Sequence, residues 1–327
     1  MKIKPISGFA PKKQAPAENS LSNSEKRTFT TCRKKWYWQY GLKLTPLGTP
    51  TPFLVGSSIH KCLEEFYYTG KVLEEGLIKE IIDSVFDPVI KGTANLFLDA
   101  DQLDDVEKQR VMTFGMVTAY MKVYADDLKK WEVISIEKEG KWRVAPTWDM
   151  YFTVDLIVRL RKDKKIFIVE HKSAASIDAN YVARLSLDDQ VSTYLVGAKN
   201  AWDIDADGVI YNVMMKPRIR PKQTETREQY LDRVHALYVE SPQEYLFRAQ
   251  LLKCDRDLEQ FEKELGQFTG EMERAASLQF YYKNTDACSV RGTCPYMPLC
   301  IEGQEAASDR FKVREHKSQY GAEADSD

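Results

Sequence analysis

The spacing of apolar residues follows a helical period in the first and last thirds of the chain and shortens to strand-length runs between them. Apolar residues at positions 114, 117, 121, 124, 128 and 131 keep alternating three- and four-residue steps, which predicts a core-packed helix over Asp101–Trp131. The other predicted helices are Asn23–Tyr40, Phe53–Tyr68, acidic helices within Val72–Ile90, Leu187–Trp202, Thr224–Val239 and Asp255–Ser277.

Shorter apolar segments in the middle of the chain predict strands. They are Trp131–Lys138, Trp142–Thr147, Tyr151–Arg161, Ile166–Lys172 and Gly208–Met214. A block of strands with helices on both sides predicts an α/β protein with a mixed sheet.

Composition limits the size of the core, the binding partners and the location that we expect. A chain of 327 residues with 43% hydrophobic residues can bury a full core, and its net charge of −2 shows no overall bias toward polyanions. It has neither an apolar run of membrane length nor a sequence like a secretory signal, so we expect a cytoplasmic protein (host-cell cytoplasm if a phage encodes it) without a membrane partner. The sequence predicts one domain, residues 21–303, with disordered tails at residues 1–20 and 304–327.

Two local stretches are strongly basic. Leu21–Thr45 has six basic residues against one acid, interleaved with aromatic residues, and Asn212–Lys222 has four basic residues and no acid. Cations that meet phosphates and rings that stack on bases suit nucleic acid. A solvated helix face with core aromatics is the alternative, and it stays open at this point.

One carboxylate interrupts an otherwise apolar strand. Tyr151–Arg161 has the near-continuous apolar sequence of a strand covered on both faces, and Asp155 lies in its middle. A buried carboxylate needs a cation, a metal ion or several hydrogen-bond donors, because desolvating it alone costs several kcal/mol.

The next strand ends in Glu170, His171 and Lys172. Because side chains alternate along a strand, Glu170 and Lys172 share one face and His171 takes the other. If the two strands are neighbours, Asp155, Glu170 and Lys172 meet at one edge of the sheet, where two carboxylates beside a lysine suit Mg²⁺ or Mn²⁺ and a phosphate. A structural salt bridge between Lys172 and one carboxylate is the alternative.

Two helices carry further polar candidates. Gly56–His60 (GSSIH) opens a predicted helix, and His60 borders its buried stripe, placed either as a third metal ligand or as an ordinary core or surface histidine. Gln190 and Tyr194 are four residues apart and share a helix face.

Four of the six cysteines are split across the chain. They are Cys32 near the start, and Cys288, Cys294 and Cys300 near the end. Thiolates grouped in this way predict a four-ligand metal site that ties the two ends together, and they suit either Zn²⁺ or an iron–sulfur cluster. Pro295 and Pro298 are expected to keep the late segment out of helix. We expect Cys62 and Cys254, on helical segments, to be buried without a role; free thiols throughout are the alternative.

Together and in this order, these residues resemble the RecB-like branch of the PD-(D/E)XK nuclease superfamily. The resemblance rests on the GxxxH of Gly56–His60, Asp155, Glu170-x-Lys172 and the QxxxY of Gln190–Tyr194. The split cysteines resemble its iron–sulfur subgroup, which includes AddB-type and CRISPR-associated exonucleases and small phage nucleases. The commoner late spacing in that subgroup is CxxC followed by a third cysteine, whereas six positions separate each neighbour here.

The resemblance implies a restriction-endonuclease-like fold, with a mixed central β-sheet flanked by helices and the N- and C-terminal segments joined at an iron–sulfur site. It implies a [4Fe-4S] cluster on the four cysteines and one or two Mg²⁺ or Mn²⁺ ions in the active site. The implied metal ligands are His60, Asp155, Glu170 and the carbonyl of His171. Lys172 would orient the attacking water, and Gln190 and Tyr194 would position Lys172 or the DNA.

The implied activity is phosphodiester hydrolysis that leaves a 5′-phosphate, exonucleolytic on single-stranded DNA ends, in recombination, repair or replication. DNA is the implied partner. The chain has no GxxxxGK[ST] motif, so we expect any helicase, recombination or replication protein to be a separate partner. The alternative is a nucleic-acid-binding or assembly subunit in which the cluster or a zinc ion is structural and nothing is cleaved.

Overall fold

The computed structural model describes residues 19–47, 51–91, 99–290, 292–303, 305 and 308–313. Most of both predicted tails therefore lies outside the described residues. The described residues nevertheless reach into each predicted tail, because residues 19–20 begin one strand and residues 311–313 form another.

The first predicted helix is broken into pieces. The N-terminal elements are β1 (Asn19–Ser22), α1 (Asn23–Thr31), α2 (Arg33–Trp36), a π-helical turn (Tyr37–Gly41) and β2 (Leu44–Pro46). Cys32 separates α1 from α2 because its backbone is extended, with φ −162° and ψ 112°. Its sulfur accepts the Lys35 N–H at 3.5 Å and caps α2. The prediction of one helix over Asn23–Tyr40 is therefore wrong at Cys32.

The next helices are α3 (Thr51–Thr69), α4 (Glu75–Ile90), α5 (Ala100–Val123) and α6 (Asp127–Lys130). The predicted helix Asp101–Trp131 ends early, since the backbone of Tyr124 leaves the helical region (φ −103°, ψ 19°) and Trp131 begins a strand. The segment Gly56–His60 lies inside α3 and does not open it.

The sheet is built in the middle of the chain. Its strands and the helices between them are β3 (Trp131–Ala145), β4 (Trp148–Leu160), β5 (Ile166–Ala174), α7 (Ala179–Leu185), α8 (Asp189–Trp202), β6 (Gly208–Met215), α9 (Arg227–Glu240), α10 (Pro242–Tyr245) and β7 (Leu246–Leu251). β4–β5 and β6–β7 are antiparallel, β5–β6 is parallel, and β1 and β3 also pair with β4. This mixed sheet flanked by helices confirms the predicted α/β architecture and is consistent with a restriction-endonuclease-like fold.

The C-terminal elements are α11 (Asp255–Ser277), α12 (Met297–Ile301) and β8 (Phe311–Val313), which pairs antiparallel with β2. The prediction of a helix-free late cysteine segment is wrong, because Pro298 lies in the first turn of α12, where the missing N–H of a proline costs nothing.

The described chain divides into two compact units. The first takes its residues from 48–138 and 153–254. Its core joins α3, α4 and α5 to the sheet through fully buried side chains such as Phe66, Met116 and Val169. No described helix is both long enough and apolar enough to cross a membrane.

The second unit takes its described residues from 13–47, 139–152 and 255–327. Its small core consists of Trp38, Leu44, Tyr296 and Leu299, and Cys294 and Cys300 pack against it. This unit also contains Glu25, in the first turn of α1, where the Trp36 Nε1–H donates to its carboxylate at 3.0 Å. Burial raises the pKa of Glu25 to about 7, although the Trp36 hydrogen bond opposes the shift.

We expect Glu25→Gln to stabilise the protein more at pH 8 than at pH 5.5. The folded pKa of Glu25 lies above the unfolded value of 4.5, so the folded state holds this proton more tightly and stability is lost as pH rises toward 7. Glutamine stays neutral, and its gain in free energy of unfolding should grow by about 2 kcal/mol over that interval. Denaturant unfolding at both pH values measures the gain, with Glu262→Gln on the exposed side of α11 as the control. An equal gain at both pH values would contradict the expectation.

Candidate active site

Asp155 and Glu170 lie on neighbouring strands. The antiparallel register of β4 and β5 pairs Leu156 with Val169, which sets the two carboxylates opposite each other. The backbone N–H of His171 donates to Asp155 Oδ2 at 2.6 Å. The structure therefore brings together the two carboxylates that the sequence placed on adjacent strands.

Glu170 is 1% exposed and has a partner at each oxygen. Its Oε1 forms a salt bridge with Lys172 Nζ, and its Oε2 accepts the Tyr194 hydroxyl at 2.5 Å. Gln190 Nε2 donates to that same hydroxyl at 2.6 Å. Gln190 and Tyr194 are thus connected to Glu170 by hydrogen bonds, and their predicted action on Lys172 or the DNA stays a prediction.

The His171 imidazole takes the opposite face of β5, as strand alternation predicts. It stacks on Tyr67 with ring centroids 5.7 Å apart, and its Nδ1 lies 3.0 Å from Asn212 Nδ2. Burial lowers the pKa of His171 to about 3, so this ring is neutral. Only the backbone of His171 faces Asp155, and the role of its carbonyl as a metal ligand stays a prediction.

His60, Glu137 and Asp155 form a group that can hold a metal ion, because one ligand atom from each lies within 4.8 Å of the others. His60 Nδ1 is 3.3 Å from Asp155 Oδ1. Glu137 was missed, since it belongs to no motif and its position depends on the backbone of β3. That backbone has a φ of 43° at Glu137, a left-handed conformation that costs about 1 kcal/mol or more in a non-glycine residue.

Charge is crowded at this group. Burial disfavours the charged form of both His60 and Asp155, yet their mutual attraction raises the pKa of His60 to about 9 and lowers that of Asp155 to about 2. Burial, and then the charge of Asp155, raise the pKa of Glu170 and bring that of Glu137 to about 7. The charge of Asp155 thus disfavours the ionisation of Glu137 and Glu170, and a divalent cation among these carboxylates would favour their charged forms.

We expect Glu137→Gln to weaken Mn²⁺ binding by roughly 10-fold, the lower end of what the loss of a supporting carboxylate costs at metal sites. Isothermal titration with Mn²⁺ measures the affinity directly. Glu139→Gln is the matched control, because Glu139 is two residues further along β3 and exposed. Unchanged affinity in Glu137→Gln would remove this residue from the ligand set.

The four split cysteines lie together in the second unit. Asn284 N–H donates to Cys32 Sγ at 3.4 Å, and the thiol of Cys288 lies 3.9 Å from Asn284 O. Partial burial, followed by the neighbouring sulfurs of Cys294, Cys32 and Cys300, raises the pKa of the Cys288 thiol. Thiols that disfavour one another's ionisation suit a metal, because thiolates are the form that coordinates.

The two remaining cysteines differ in their burial. Cys62 is buried in α3, as predicted, whereas Cys254 is exposed and lies between β7 and α11. The prediction of a buried, helical Cys254 is wrong because β7, which the sequence pattern did not reveal, ends just before it and α11 starts just after it.

The first basic stretch, Leu21–Thr45, has features of both alternatives, a core with aromatic residues and a surface that suits nucleic acid. Trp38 is buried in the core of the second unit, as the core alternative requires. Arg33 lies over the exposed ring of Tyr282, 4.6 Å from its centroid, and Tyr37 stacks on Tyr281 at 4.7 Å. A partly exposed cation, which also pairs with Glu271, and flat rings therefore lie near the surface of this unit.

The chain belongs to the PD-(D/E)XK nuclease superfamily, whose family model matches residues 20–301. Proteins of this superfamily are generally nucleases that act on nucleic acid with divalent metals such as Mg²⁺ or Mn²⁺. A search of curated proteins finds no match. A similar solved structure is described as "Crystal structure of SSO0001"; it is 11% identical, the alignment covers 89% of each chain, and the TM-score is 0.32, at which the likeness carries no argument.

Proposed function

We propose that this protein is a metal-dependent DNA exonuclease that hydrolyses phosphodiester bonds at single-stranded ends. The convergence of Asp155, Glu170 and Lys172 on two neighbouring strands carries the proposal, because the superfamily uses this pattern and Glu170 is buried where the three residues meet. His60 and Glu137 add two further ligand atoms beside Asp155.

His60, Glu137, Asp155 and Glu170 would hold the divalent ion. The bound ion would lower the pKa of a water molecule and polarise the scissile phosphate. The chain itself orients these ligands: the His171 N–H holds Asp155 and the Tyr194 hydroxyl holds Glu170. Such supporting hydrogen bonds fix the direction in which each carboxylate points.

Lys172 is the proposed catalytic cation. Its side chain is 34% exposed while Glu170 is almost fully buried, and a phosphate that enters the site would meet this ammonium group beside the carboxylate. There it would orient the attacking water and stabilise the charge that builds on the phosphate. The proposed product carries a 5′-phosphate.

We propose that Cys32, Cys288, Cys294 and Cys300 hold a [4Fe-4S] cluster with a structural role. The mutual effect of these sulfurs on the Cys288 thiol supports a shared metal, and the resemblance to iron–sulfur nucleases supports the cluster over zinc. Partners among helicases, recombination or replication proteins belong to the same proposal.

A comparison of linear and circular single-stranded DNA of equal length distinguishes an exonuclease from an endonuclease and from a non-cleaving subunit. With Mn²⁺, the anaerobically purified protein should degrade the linear molecule and leave the circle intact. Cutting of the circle at a similar rate would identify an endonuclease. A protein that binds both molecules and cuts neither would be the non-cleaving subunit.

A further inference from the structure

A run of cations follows the strand beside Lys172. β6 is the parallel neighbour of β5, and its Val213 pairs with Lys172. The carboxyl ends of parallel neighbours lie at the same edge of a sheet, so the chain that leaves β6 after Met215 starts at the edge of the candidate active site. The Lys216 N–H extends this contact by donating to Ala174 O at 2.7 Å.

Residues 216–222, here named the basic ribbon, have the sequence KPRIRPK and contain neither a turn nor regular secondary structure. Pro217 and Pro221 fix their own φ and bias the residues before them toward extended backbone. Pro217 is buried and Ile219 packs on the core of the first unit. The exposed side chains are Arg218, Arg220 and Lys222. The ribbon therefore turns its apolar residues inward and its cations outward.

This alternation spaces the three exposed cations regularly. Residues two apart in extended chain are about 6.6 Å apart, which is close to the separation of successive phosphates along a stretched nucleic-acid strand. A row of cations with this spacing can contact one phosphate each.

The backbone of the basic ribbon is held from α9. Arg233 Nη2 donates to Arg220 O at 2.8 Å, and Arg233 also binds both oxygens of Glu225 at 2.7 Å. Glu225 in turn accepts the Lys222 N–H at 2.9 Å. These contacts use backbone atoms of the ribbon and leave its cationic side chains outside. A ribbon ordered in advance loses little conformational entropy when a ligand binds.

The cations of the basic ribbon have no salt bridge with any carboxylate of the described residues. Arg227 and Arg233, which follow in the chain, each have one. Partial burial lowers the pKa of Lys216, with no counter-charge to oppose it. Cations in a row without salt bridges produce a local positive field that attracts a polyanion.

We propose that the basic ribbon binds the phosphate backbone of the single strand whose end the candidate active site cuts, and so guides that strand along the sheet edge. The inference rests on the proposed function. An acidic protein segment is the competing ligand, but the regular spacing and the position next to a phosphodiester-cleaving site favour nucleic acid.

The test removes three charges from the ribbon and, in a control, three from elsewhere in the same unit. The ribbon variant is Arg218→Gln/Arg220→Gln/Lys222→Gln. The control is Lys162→Gln/Lys164→Gln/Lys165→Gln, in the exposed turn between β4 and β5, at the opposite end of β5. Fluorescence anisotropy of labelled oligothymidine in EDTA, over a series of salt concentrations, measures binding without hydrolysis.

We expect the ribbon variant to lower the slope of log affinity against log salt by about 2, since each phosphate contact contributes about 0.7 for single strands. This corresponds to roughly 50-fold weaker binding near 0.15 M salt. The control should keep the wild-type slope, and thermal melting shows whether both variants are folded. If the triple variant does not fold, Arg218→Gln and Lys222→Gln should each lower the slope by about 0.7.

An unchanged slope, or an equal loss in the control, would overturn the ribbon proposal. So would a wild-type protein that binds polyglutamate more tightly than oligothymidine through the same residues. Failure of the proposed function looks different: the protein would bind oligothymidine through the ribbon and yet not cut it when Mn²⁺ is supplied.

Discussion

Lys172→Ala should lose hydrolysis of single-stranded DNA while keeping its fold and its Mn²⁺ binding. The Lys172 ammonium forms a salt bridge with Glu170, and its side chain is partly exposed. Removing one group that stabilises charge in the transition state typically costs 10²–10³-fold in rate, or about 3–4 kcal/mol. Single-turnover cleavage of end-labelled DNA with enzyme in excess measures this step separately from product release.

Lys199→Ala is the matched control for Lys172. Lys199 is 68% exposed on α8 and has only a distant ion pair with Asp205, at 3.9 Å. We expect wild-type rates from this variant. Equal rates in Lys172→Ala and Lys199→Ala would reject Lys172 as catalytic. Loss of Mn²⁺ binding in Lys172→Ala would instead make it a residue that positions the metal ligands.

Cys32→Ala should lose both the brown colour of the cluster and much of the stability of the protein. Cys32 is separated from Cys288 by more than 250 residues, so a shared cluster restricts the unfolded chain as a cross-link does. In the loop-entropy picture a closure of that length is worth roughly 5 kcal/mol. The substitution also removes the sulfur that accepts the N–H groups of Lys35 and Asn284.

Cys254→Ser separates cluster loss from a general effect of removing a thiol. Cys254 is exposed and is not one of the four proposed cluster ligands, so we expect unchanged absorbance near 400 nm and an unchanged melting temperature. A Cys32→Ala protein with full cluster absorbance and the same melting temperature would refute the proposed site. Zinc with no iron in the purified wild-type protein would keep the site but replace the cluster.

The residues that sequence predicts best are those whose placement depends on local strand geometry. Asp155, Glu170 and Lys172 follow from alternation along two apolar strands, and they meet because those strands pair directly. Gln190 and Tyr194 follow equally from helical spacing. Their target does not, because contact with Glu170 depends on how α8 packs on the sheet.

Other features depend on backbone that sequence patterns do not reveal. Glu137 reaches the metal group through a left-handed φ within β3, and no residue type signals that conformation in a non-glycine. The break at Cys32 arises because its sulfur caps α2, a role that the predicted continuous helix hid. β7 escaped prediction because its buried and half-buried positions do not alternate.

The most direct test of the proposed nuclease activity measures whether DNA cleavage requires both Mn²⁺ and Asp155. Anaerobically purified protein is incubated with end-labelled single-stranded DNA in Mn²⁺ or in EDTA, beside Asp155→Asn. We predict short labelled products from the wild type with Mn²⁺, and none in EDTA or from the variant, because Asp155 would be a central metal ligand. Labelled DNA that is bound but remains intact with Mn²⁺, or cleavage by Asp155→Asn at the wild-type rate, would contradict the proposed nuclease.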